Sequence, residues 1–120
     1  MPPARLPDEV RVELERVLRR WQQLPLDHAL RASGDVRALA QALADEVADA
    51  EGRPREALPE LGPATLLHQL QVCVYDAARH EALRDDAASH DTARLSPEGQ
   101  QAGGIRELAQ RLAQLRRAVS

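Results

Sequence analysis

At 120 residues the chain has a one-domain length, and 16 basic residues against 19 acidic ones leave a net charge of −3. That balance argues against non-specific nucleic-acid binding, which needs a surplus of phosphate-neutralising cations, and against a general pull toward anionic membranes. A single cysteine excludes an intrachain disulfide, and an aromatic content of 2% with few β-branched residues argues against a sheet.

Every basic residue is arginine; lysine, asparagine and phenylalanine are absent, and alanine, leucine and arginine make up nearly half the chain. This bias points to a GC-rich genome, so the arginines reflect codon supply before they reflect phosphate recognition. Alanine is the best helix former and lets helices approach closely, so composition predicts an all-α protein, a four-helix or irregular helical bundle in a single domain. The opening "MPPARLPDEV" has no apolar signal-peptide core, and the longest uncharged run, Leu61 to Tyr75, is too short to span a bilayer. The expectation is a cytoplasmic protein that does not enter the membrane.

The first helix is expected over 8–24. Pro7 suits a helix start, Asp8 and Glu9 complement the positive end of the dipole, and Pro25 stops the run. Val10, Leu14, Val17, Leu18, Trp21 and Leu24 form one apolar stripe. On its exposed side Glu13 is placed to pair with Arg16, and Glu15 with Arg19. "PLDHALRASGD" reads as a connection holding at most a short turn. The second helix is expected over 35–51, with Val36, Leu39, Ala40, Leu43, Val47 and Ala50 on one face and Gly52 and Pro54 as its stop. "GRPREALPELGP" is loop.

Gly62-Pro63 opens a third helix expected over 63–83, with proline in the first helical position. Residues 84–103 are weakly patterned; Ser96-Pro97-Glu98 signals a helix start that Gly99, Gly103 and Gly104 weaken. The fourth helix is expected over 104–119. Ile105, Leu108, Leu112, Leu115 and Val119 fall three and four apart, the seam of a bundle, and no helix-turn-helix turn interrupts it at Ala113-Gln114-Leu115.

The third helix carries the candidate surface. Leu66, Leu67, Leu70, Cys73, Val74 and Ala77 share one side, while Val72 and Tyr75 point the other way, near His68 and Arg79. A helix apolar on two sides is either central or offers a patch to a second chain, and tyrosine suits an interface by joining large area to a polar tip. Val72, Tyr75, Arg79 and, on the first helix, Trp21 are the anchors to watch. Trp21 lies mid-stripe, where a buried position is the simpler reading.

Cys73, Asp76 and His80 stand at i, i+3 and i+7, with His90 and Asp91 as further donors. That set falls short of a zinc site, and burial of Cys73 would suppress a nucleophilic thiol, so no catalytic residue, metal or cofactor is assigned. No phosphate-loop, dinucleotide, metalloprotease, serine-hydrolase or calcium-loop pattern occurs. The resulting expectation is a small, non-enzymatic interaction or regulatory protein whose partner is another protein or a second copy of itself. The homodimer would use either the second face of the third helix or the C-terminal seam. The alternatives are a DNA-associated regulator using the arginines of the C-terminal helix, and a metal- or small-molecule-binding protein centred on Cys73, Asp76 and His80.

Overall fold

The structure, a computed structural model, describes residues 6–91 and 103–119, the segment 84–91 as backbone only. Among these residues lie four helices and no strand: α1 (Asp8–Gln23), α2 (Leu26–Ala50), α3 (Pro63–Asp91) and α4 (Gly103–Ala118). The all-α bundle expected from composition is what forms. The Ser96-Pro97-Glu98 signal lies outside the described residues, as do the side chains of His90 and Asp91.

The stripe read from the sequence buries α1. Val10, Leu14, Val17 and Trp21 are enclosed, with Leu18 and Leu24 packed at the edge of the same cluster. Its partner is mainly α4, whose Ile105, Leu108, Leu112 and Leu115, with Val119 just past its end, are buried as the heptad predicts. Fully burying a side chain of this size contributes about 1.5–3 kcal/mol, so the seam is the main reason this pair holds. It also means the C-terminal seam is consumed inside the chain and offers nothing to a second copy. On the exposed side Arg16 donates to Glu13 at 2.8 Å as anticipated. Glu15, however, accepts from Arg11 at 3.3 Å rather than from Arg19.

The second helix begins at Leu26, nine residues before the expected Asp35. Pro25 closes α1 and at once precedes the first turn of α2, where its carbonyl accepts the Ala29 N–H at 2.9 Å. The stripe of α2 extends back through buried Ala29 and Ala32, whose small side chains do not stand out in a hydrophobicity pattern. Ser33 and Gly34 do not break it. The Ser33 hydroxyl donates to the Ala29 carbonyl one turn back, at 2.8 Å, and Gly34 faces open space.

The far end of α2 closes as a Schellman motif. Gly52, at φ 69°, donates to the Asp49 carbonyl at 3.2 Å, and Arg53 donates to the Ala48 carbonyl at 2.8 Å. From there the chain does not turn back into an antiparallel hairpin. Leu66 and Gln69 of α3 sit beside Leu30, Ser33 and Arg37 of α2, Cys73 and Asp76 beside Ala44 and Ala48, and His80 beside Ala50. α2 and α3 therefore run parallel. A parallel pair needs a connection that retraces the overlap between its helices, and residues 53–62 supply it. Ten extended residues reach about 33 Å, more than the roughly 25 Å rise of α2 that must be retraced.

This return strap is bound along its length. The Arg37 guanidinium donates to the Leu58 carbonyl at 2.6 Å, and Gln69 donates to the Pro59 carbonyl at 2.9 Å. The Gln41 amide brackets Ala57: its nitrogen donates to the Glu56 carbonyl at 2.9 Å and its oxygen accepts the Leu58 N–H at 2.8 Å. Leu58 packs against the core, and Arg55 grips the Asp49 carboxylate through two bonds of 3.0 and 2.6 Å. Gly62, at φ 96°, then turns the chain into Pro63 and α3. α4 closes the bundle, in contact with α2 through Arg111 and with α3 where Gly104 meets the Glu81 side chain.

Candidate interaction face on the third helix

The position of α3 decides which of its two apolar sides is used for folding. Leu66, Leu70, Cys73, Val74, Ala77 and Ala78 are buried against α2 and the rest of the core. On the opposite side Val72, Tyr75 and Leu83 remain 49%, 48% and 58% exposed. With Arg79, also exposed, they fall within about 80 degrees of one another on the helix. The helix's packing requirement is met by the first side, so this second stripe is surplus to the fold. Leu83 completes it and was not picked out from sequence, because it borders the weakly patterned stretch that follows.

Trp21 does not belong to this surface. It is only 7% exposed and sits in the core cluster with the α1 stripe, where its large apolar body has most to gain from burial. Its place among the interaction anchors is therefore withdrawn. Three other leucines missed by the sequence reading are exposed at the opposite end of the parallel pair: Leu26, Leu30 and Leu61. Leu30 and Leu61 line a cleft of about 260 Å³ where the strap enters α3.

Cys73, Asp76 and His80 occupy one edge of α3, yet they do not converge. Cys73 lines a cleft of about 260 Å³ beside the strap, with Val72 and Asp76 at its exposed rim, whereas His80 lines a different one with Val47 and Glu81. The His80 ring nitrogen Nε2 lies 2.9 Å from Glu51 Oε2, fastening α3 to the end of α2. That hydrogen bond, reinforced by Arg53, holds the Glu51 carboxyl below the usual carboxylate range. Arg55 does the same for Asp49. Burial, aided by the Asp76 charge, pushes the Cys73 thiol upward, so it stays protonated at neutral pH and is a poor nucleophile. Among the described residues no three cysteine, histidine or carboxylate side chains gather as a metal would require.

The arginines of α4 divide. Arg111 clasps Glu46 with two bonds of 3.0 and 2.9 Å, and Arg116 Nε faces Glu13 Oε2 at 3.6 Å. Arg106 and Arg117 are exposed, the latter in the last turn, where it complements the helix dipole. No described helix is long and apolar enough to cross a membrane. Compared with protein families, with curated proteins and with solved structures, the chain matches none. What defines the chain structurally is an all-α bundle with a parallel central pair and one surplus apolar face.

Proposed function

We propose that this chain is a small, non-catalytic interaction protein that works in the cytoplasm through the outward face of α3. The observation that carries the reading is the second apolar stripe, Val72, Tyr75 and Leu83, on a helix whose core stripe is already complete. Exposed large side chains aligned on one helix suit recognition of a partner helix or groove, and scattered single exposures would not. Tyr75 provides area with a polar tip, and Arg79 supplies a charge within the stripe, the residue types that dominate binding hot spots. The clefts described above are small for a bound metabolite and lack a converging set of polar groups, which favours a surface over a pocket.

The test compares immobilised wild type with Tyr75→Arg and Leu83→Arg variants, each first shown by circular dichroism to be folded. Retention of a partner, this chain or another, by the wild type and its loss from both variants is the expected result. Identical retention by all three would remove α3 from the interaction.

A further inference from the structure

Resting on that reading of α3, we infer that the partner is a second copy of the same chain, docked with its α3 antiparallel to the first. Four exposed residues carry the argument: Val72, Asp76, Arg79 and Leu83. The midpoint between Val72 and Leu83 lies between Ala77 and Ala78, and so does the midpoint between Asp76 and Arg79. A two-fold axis at that point sets Val72 of each copy against Leu83 of the other, and Asp76 of each against Arg79 of the other. The face is thereby complementary to itself, the condition an isologous dimer must meet.

Three further facts fit this register. Among the described residues neither Asp76 nor Arg79 has an ion-pair partner within its own chain, so both charges are available to a second copy. The parallel alternative would set Arg79 against Arg79 and Asp76 against Asp76, a like-charge arrangement that disfavours pairing. Tyr75 comes level with the stem of the opposite Arg79, where its ring can stack on the guanidinium. The contact spans twelve residues, about 17 Å of helix, at the small end of specific interfaces, so the dimer is concentration-dependent.

Sedimentation velocity over roughly 10–500 µM, the range in which a small interface associates, tests this on the intact chain. The wild type should dimerise. Asp76→Arg and Arg79→Asp should each weaken dimerisation at least about tenfold, because each sets like charges in opposition twice. Mixing those two variants should restore a dimer, now mixed, and the double variant D76R/R79D should dimerise alone. Circular dichroism on each variant should match the wild type, so that a lost dimer is not an unfolded chain. A wild type monomeric across the range overturns self-pairing, and the partner-retention experiment above then judges the face separately. A dimer indifferent to both charge changes but lost in Tyr75→Arg overturns the register and keeps the face. A dimer unaffected by all three overturns both.

Discussion

Replacing Gln41 with alanine should release the return strap while leaving the helices in place. The side-chain amide makes two bonds to the strap backbone, 2.9 Å to the Glu56 carbonyl and 2.8 Å from the Leu58 N–H. Neutral bonds of this kind contribute about 0.5–1.5 kcal/mol each, so the loss is about 2 kcal/mol, or roughly thirtyfold in the equilibrium for local opening. The effect should be concentrated in the strap, because α2 and α3 keep their own buried stripes. Two assays read it. Amide exchange at Leu58 should accelerate by about that factor, since its N–H donates to the amide that is removed. Tryptic cleavage after Arg55 should rise in parallel; Arg53 precedes Pro54 and is resistant, so Arg55 is the strap's one cleavable arginine. Gln41→Glu should not rescue, because it keeps the acceptor for Leu58 but replaces the donor to Glu56 with a carboxylate facing a carbonyl. Gln22→Ala, on the exposed side of α1, serves as the control. If Leu58 exchange and Arg55 cleavage in Gln41→Ala match the wild type, the strap is not held by this clamp and the reasoning fails.

The glycines should respond with opposite signs in thermal melts. Gly34→Ala meets open space inside a helix and should stabilise by about 0.5–1 kcal/mol, whereas Gly52→Ala places a side chain at positive φ and should destabilise by about 1 kcal/mol. Cys73 should react with an aromatic disulfide reagent far more slowly in the native protein than in denaturant, because burial both raises its pKa and blocks access. Fast native labelling would contradict its placement in the core. Acid should weaken the junction between α2 and the strap. The Asp49 and Glu51 carboxyls are both lowered from ordinary values of 3.8 and 4.5, so their stabilisation is present above those values and is lost as pH falls below them. The fall in denaturation midpoint on acidification should be shallower in the double variant D49N/E51Q, and an equal fall would assign the acid sensitivity elsewhere.

Much of the architecture was legible because helices announce themselves locally. The stripes of α1, α3 and α4 are read directly from apolar spacing, and Gly52 and Gly62-Pro63 mark an end and a start through the backbone conformations they permit. The start of α2 was not legible. Ser33-Gly34 carries the composition of a turn, and Ala29 and Ala32 become core residues only because another helix comes close enough to cover them. The candidate face was half legible: Val72, Tyr75 and Arg79 stand out on a helical wheel, but the wheel alone does not say which side of α3 the core takes. The mid-stripe position of Trp21 already favours burial, and the core cluster encloses it.

The sequence by itself determined the all-α class and the apolar stripes of the four helices, apart from the first turns of α2, because each depends on a repeat of 3.6 residues contained within one segment. Tertiary structure decided that α2 and α3 run parallel, that residues 53–62 retrace α2 as a bound strap, and that one side of α3 is left over. The bonds that hold the strap explain the difference. Arg37, Gln41 and Gln69 reach main-chain groups ten to twenty-one residues away. A side chain that recognises backbone leaves no signature in the residues it binds, so such contacts become visible only once the helices are assembled.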